Sequence, residues 1–119
     1  MIWYKTSKKD DPYNELWSRE EWLHPIENAD KMRFPLVVTV EPKNACQNKC
    51  LYCSRSIMNR ETGYLGLDIM EQIAKEASEN SAAIRHGGFG EPLLHPKIVD
   101  IIARCKKHNV LTTIFSNCK

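Results

Sequence analysis

From Phe34 onward the chain alternates short apolar runs with longer amphipathic ones. "PLVVTVEP" is a nearly continuous β-branched run bounded by prolines, which predicts a short strand covered on both faces. "LDIMEQIAKEASEN" places Ile69, Met70, Ile73, Ala74 and Ala77 on one helical face, with Asp68 positioned to cap the helix. "AAIRHGG" reads as a second strand ending in glycines. "HPKIVDIIARCKKHN" is amphipathic again: Pro96 suits a first helical residue, Ile98, Ile101, Ile102 and Cys105 form a stripe, and basic residues fill the last turn. "VLTTIF" predicts a third strand. The order β-α-β-α-β, with connections long enough for crossovers, implies an α/β fold of parallel strands joined by right-handed units.

Residues 1–33 show no sustained period. They carry Trp3, Tyr4, Trp17 and Trp22, and Ser18 with Glu21 forms a capping box for a short helix that Pro25 stops. They are expected to form an N-terminal extension lying against a domain built from residues 34–119. A chain of 119 residues supports one domain rather than two.

Charge narrows the partners. The formal net charge is +2, and the basic residues occur as separate pairs such as Lys8–Lys9 and Lys106–Lys107, which suits solvated faces and not a nucleic-acid surface. No apolar run approaches the ~20 residues needed to cross a bilayer, so no membrane partner is expected. "MIWYKTSKKDDPYNE" lacks the apolar core of a signal peptide. The expected compartment is the cytoplasm, where thiols stay reduced and clustered cysteines point to a metal or to catalysis before disulfides.

Three segments lie just past a predicted strand, where parallel α/β folds collect their chemistry: "EPKNACQNKCLYCSRS", "GGFGEPLLHP" and "SNCK". The first places three of the five cysteines, Cys46, Cys50 and Cys53, within eight positions as C-x3-C-x2-C. Thiolates select soft centres, chiefly zinc, copper(I) and iron–sulfur clusters. A structural zinc site needs a fourth ligand, here Cys118 or a histidine. A four-iron cube held by three cysteines leaves one iron open to a substrate or cofactor. Cys105 points along an apolar stripe and reads as core packing. In the second segment, Gly90 permits close backbone approach and Glu91 can pair with an ammonium group, although a plain strand-to-helix turn has the same composition. Ser116 and Asn117 in the third suit turn chemistry as well as ligand contact. His24, His86, His95 and His108 have no ligand-like spacing, and Arg85 reads as a solvated strand end.

Cys46-x3-Cys50-x2-Cys53 after a strand, with Tyr52 just before the last cysteine, resembles the cluster motif of the radical S-adenosylmethionine (SAM) enzymes. "GFGEPLLHP" is similar to that family's glycine–glutamate–proline turn. "IFSN" is similar to its third-strand ending, with Cys118 where glycine is usual. The resemblance covers residues 34–119 and implies the first half of a (β/α) barrel. It assigns Cys46, Cys50 and Cys53 to a [4Fe–4S] cluster whose fourth iron is chelated by SAM. It also assigns the Gly90–Glu91 turn to the SAM amino group, the neighbourhood of Tyr52 to adenine (core packing of Tyr52 is the alternative), and Ser116 and Asn117 to further SAM contacts. The implied reaction is one-electron cleavage of SAM to methionine and a 5′-deoxyadenosyl radical, which takes a hydrogen atom from a substrate the sequence does not name. A ferredoxin or flavodoxin-type electron donor is implied as a partner. The family's barrel needs about 200 residues or more, so the remainder of the barrel, from a longer chain or another one, is a further expected partner, and the chain alone is expected to turn over little. The competing expectation from the residues is a non-catalytic cysteine module holding zinc or an iron–sulfur cluster for structure or electron transfer.

Overall fold

The structure is a computed structural model that describes residues 33–119. The expected extension and its short helix from Ser18 lie outside the described residues. Five principal elements follow in order: β1 (Val37–Val40), α1 (Leu67–Glu79), β2 (Ala83–His86), α2 (Ile98–Lys107) and β3 (Thr112–Ile114). The three strands form one parallel sheet in the order β1-β2-β3. The expected α/β architecture is therefore present, as an open sheet. No helix among the described residues is long and apolar enough to cross a membrane.

The register sets Val38, Ile84 and Thr112 side by side, and Thr39, Arg85 and Thr113 beside one another on the opposite face. Ile84 and His86 are fully buried, whereas Arg85 and Thr39 are exposed. The helices thus cover a single face. The expectation that β1 is covered on both faces is corrected by Thr39, whose side chain shares the open face with Arg85.

Beneath the helices the core is built from Met70, Ala74 and Ala77 of α1, Ile101 and Cys105 of α2, and Ile84 of the sheet. Ile69 does not join it and is 51% exposed. The spacing i, i+4, i+7 centres the buried stripe on Met70, and a residue one position away is turned about 100° from it. Cys105 is buried as packing demands, and its sulfur lies 3.7 Å from His86 Nε2. Burial pushes the Cys105 thiol up and the His86 imidazole down, so both stay neutral core groups.

Both helix starts differ from expectation. Gly66, still extended, is the N-cap of α1, so Asp68 lies inside the first turn, where its charge favours the helix dipole without capping a backbone N–H. α2 begins at Ile98 and not at Pro96. A 3-10 turn, Pro92–Leu94, precedes it, and the backbone bonds from His95 to Pro92 and from Ile98 to His95 turn the chain before the helix can start.

The two helices end alike. At α1 the Ala82 N–H bonds the Ala77 carbonyl (2.8 Å) and Ser81 bonds Ser78 (3.1 Å); at α2 Val110 bonds Cys105 (2.9 Å) and Asn109 bonds Lys106 (3.0 Å). This is the Schellman closure, and it needs a left-handed residue, supplied by Ser81 (φ 52°) and Asn109 (φ 56°). Each closure buries its last apolar contact and aims the chain into the next strand. Between the helices, Glu71 of α1 accepts from Lys107 Nζ at 2.7 Å and His108 Nε2 at 2.8 Å. Those two bonds, Lys107 first, hold the Glu71 carboxyl down at about 2 from its ordinary 4.5.

Two outcomes are expected. Ser81→Gly removes the left-handed penalty and raises unfolding stability by ~0.5–1 kcal/mol, since part of the gain is returned as backbone entropy; a lower melting temperature would contradict the closure. Glu71 has a depressed folded pKa, so its contribution is present above about 4.5 and is lost as pH falls toward about 2. Glu71→Gln therefore lowers the melting temperature at neutral pH, and the gap from the parent chain narrows across that acid window in thermal scans.

Candidate functional site

The carboxyl ends of all three strands carry the segments singled out by sequence. The first leaves β1 as Glu41, Pro42, Lys43 and Asn44, and returns at residues 61–65. Its base is pinned repeatedly. Asn44 Nδ2 donates to the Glu61 carbonyl (2.7 Å) while its Oδ1 accepts from Gly63 N–H (2.7 Å). The Leu65 N–H donates to Pro42 (2.9 Å). Buried Lys43 donates from Nζ to the Gly63 carbonyl (3.2 Å) and lies 3.7 Å from the Tyr64 ring centre. His95 supports the same return: its Nδ1 accepts from Lys97 N–H, so Nε2 carries the proton donated to the Leu65 carbonyl.

Cys46, Cys50 and Cys53 sit on the loop so formed, and all are free thiols; Cys50 is exposed and the other two are half-buried. Cys46 Sγ accepts from Asn48 N–H and from Asn117 Nδ2, both at 3.4 Å. Further along, Cys53 N–H bonds the Cys50 carbonyl (3.1 Å), and Arg55 ties back to the Asn48 carbonyl (3.0 Å). Tyr52 is 94% exposed, which corrects its alternative reading as core packing. Among the described residues, no three Cys, His, Asp or Glu side chains converge closely enough to hold one metal ion. The donor set fits a larger soft centre: three thiols on one loop, one of them already met by two N–H groups suited to a thiolate.

Past β2 the turn is pressed against the base of that loop. A Cβ on Gly90 would stand 1.7 Å from the Lys43 carbonyl oxygen, so only glycine allows this approach. Gly88 has φ 148°, and a Cβ there would meet the Glu41 carboxylate at 2.7 Å. Glu41 Oε1 accepts the N–H groups of Phe89 (2.8 Å) and Gly90 (2.9 Å), and Arg60 pairs with Oε2 at 2.8 Å. Glu41 was not singled out by the sequence. The available signal was an acidic residue directly after a strand, facing a glycine turn whose N–H groups need acceptors.

Glu91 is 2% exposed. Its N–H donates to the Ala45 carbonyl (2.8 Å), its Oε1 accepts from Leu93 N–H (3.0 Å) and its Oε2 from Asn117 N–H (2.8 Å). Burial alone would push its pKa up, but the N–H groups of Asn117 and Leu93 and the Ser116 hydroxyl outweigh it and hold the carboxyl below the usual range. Ser116 Oγ also accepts from Cys118 N–H (2.9 Å). Cys118 has φ 56°, the left-handed conformation that glycine adopts freely. The structure therefore brings Cys46, Gly90, Glu91, Ser116 and Asn117 together, with Tyr52 on the exposed tip of the cysteine loop.

Comparison with known proteins agrees with this geometry. The chain is 28% identical over 80 residues to the tungsten-containing aldehyde ferredoxin oxidoreductase cofactor-modifying protein of Pyrococcus furiosus, covering 66% of this chain and 22% of that protein. The chain thus spans about a fifth of that relative's length. The fold is similar to the crystal structure of BtrN in complex with AdoMet and 2-DOIA (TM-score 0.64, 22% identity, 71% of this chain and 37% of BtrN). It is similar also to Streptococcus suis SuiB bound to the precursor peptide SuiA (TM-score 0.62, 23% identity, 99% of this chain and 27% of SuiB). Residues 40–118, from the last residue of β1 to the residue after Asn117, match the profile of the Radical SAM superfamily, and the chain belongs to that superfamily.

Proposed function

We propose that Cys46, Cys50 and Cys53 bind a [4Fe–4S] cluster, that SAM occupies the iron they leave free, and that the chain forms the cofactor-binding part of a radical SAM enzyme. When bound, such a cluster supplies one electron to SAM, which breaks a carbon–sulfur bond and yields methionine and a 5′-deoxyadenosyl radical able to take hydrogen from a substrate.

One observation carries the proposal: the three-thiol loop is hydrogen-bonded directly to the segments after β2 and β3. Ala45 accepts from Glu91, Glu91 accepts from Asn117, and Asn117 donates to Cys46. A cysteine module that held a structural ion for itself would need no such connection. Here the loop's position is set by the same turns that the resemblance assigns to SAM.

The chain's own groups divide the work. Cys46 lies against protein, whereas Cys50 is open to solvent and to an incoming centre. Both Glu91 oxygens are engaged by N–H donors, so Glu91 fixes the turn, and contact with an ammonium group falls to carbonyl oxygens of that turn. Tyr52, with its ring free, is placed to lie over a nucleobase. Phe89 and Phe115, 43% and 62% exposed, offer apolar surface that excludes water once covered. The covering chain is the remainder of the barrel, and the electron comes from a ferredoxin or flavodoxin-type donor.

Anaerobic reconstitution with iron and sulfide tests the reading. The expected product has about four irons per chain, the broad brown absorbance of a cluster, and a reduced electron paramagnetic resonance (EPR) spectrum that changes when SAM is added. Alanine at Cys46, Cys50 or Cys53 is expected to abolish the signal, and alanine at Cys105 to leave it in place. A colourless chain that retains zinc, or a cluster spectrum indifferent to SAM, would sink the proposal.

A further inference from the structure

The hydrogen bonds at Cys46 are uneven with respect to the other two thiols. Cys46 Sγ accepts two N–H groups, one from the backbone of its own loop and one from Asn117, 71 residues away and past β3. Among the described residues no N–H donor reaches the sulfur of Cys50 or Cys53.

The Asn117 amide is not free to turn. Its Oδ1 accepts from Gln47 Nε2 (3.0 Å) and from Lys119 N–H (3.1 Å). Exchanging oxygen and nitrogen would set an NH2 group against two donors and an oxygen against sulfur, so the network fixes which end faces Cys46. The backbone of Asn117 is held separately, by its N–H to buried Glu91. The side chain is thus a donor whose position is established by Glu91 from below and whose rotation is established by Gln47 and Lys119 from the side. Ordinary turn chemistry requires none of these contacts to end on a sulfur.

A donor aimed at a thiolate withdraws electron density from it and stabilises the more negative of two redox states, so hydrogen bonds to cluster sulfurs are among the terms that set a reduction potential. We infer that Asn117 is a positioning and tuning residue whose side-chain amide donates to Cys46 and raises the reduction potential of the cluster bound there. This rests on the cluster reading proposed above. The role is distinct from contact with SAM: it operates with SAM absent, and it acts on the ease of reducing the cluster by one electron.

Asn117→Leu tests it. Leucine keeps the shape, and the bond to Glu91 survives because the backbone makes it. In a reductive titration followed by EPR, which reads only the occupied fraction, the variant's potential is expected to fall by about 59 mV, the equivalent of a tenfold change in a one-electron equilibrium. A second measurement reads the contact itself. The parent chain grown with asparagine labelled with 15N in the side-chain amide should show a nitrogen coupling to the reduced cluster in pulsed EPR, and Asn117→Leu should lose it. A cluster that forms without this coupling, or whose potential is the same in both chains, overturns the inference and leaves the cluster reading intact. A parent chain that takes up no cluster overturns both.

Discussion

A buried carboxylate is tolerable only where hydrogen-bond donors replace the water it has lost, and Glu91 has gathered donors from separate parts of the chain. Leu93 comes from its own turn, and Ser116 and Asn117 from the far side of β3. Its own N–H reaches Ala45 in the cysteine loop. The strands are short, four, four and three residues, and cannot by themselves fix the loops beyond them. One ionised side chain does so instead. The donors hold Glu91 below the ordinary carboxylate range, so the brace is charged at neutral pH. Glu41 repeats the arrangement on the other side of the turn, accepting from Phe89 and Gly90 while Arg60 balances its charge. Two carboxylates, facing backbone N–H groups of one glycine turn and its flanks, lock the three strand ends into one body.

The consequence for the cysteine loop is a gradient of constraint. Its base is closed by Asn44, Lys43 and Tyr64, and the first thiol is tied across to Asn117. Gln47 is tied to Asn117 as well, and from Asn48 to Met58 the bonds are local, between Cys53 and Cys50 and between Arg55 and Asn48. Leu51, Tyr52 and Ile57 are almost wholly exposed. Of the three thiols, Cys46 is thus the one held by a segment from across the site, while Cys50 stands exposed on the loop.

Much of this was legible in the residues. Apolar spacing located both helices, and the β-branched runs located the strands, because burial against one layer leaves its period in the sequence. The three cysteines and the glycine–glutamate turn were visible because their spacing is unusual. What periodicity does not carry is partner choice over long range. Glu91 reads as a polar turn residue that pairs with a ligand, yet its acceptors are satisfied by Leu93 and by Asn117, 26 residues on. Glu41 was not singled out, since its partners Phe89 and Gly90 lie 48 and 49 residues on. Ile69 satisfied a helical pattern one position off the true stripe, and Pro96 lost the helix start to a turn held by His95.

The open face of the sheet follows a different rule from the covered one. Thr39, Arg85 and Thr113 stand side by side in register across it, and Arg85 donates to Thr39 Oγ1 from Nη2 at 2.8 Å and from Nε at 3.2 Å. Its guanidinium also lies 5.6 Å from the Phe115 ring. A second layer packed on this face would have to desolvate that cation without a carboxylate to meet it, at a cost of several kcal/mol by the usual order of magnitude. Hydrophobic packing is therefore the wrong cover for the middle of the sheet, while the apolar rings of Phe89 and Phe115 mark its carboxyl end as the place where cover is favourable. The two parts of this face therefore make different demands on whatever meets them: water or polar groups over Arg85, and apolar cover over the rings at the carboxyl end.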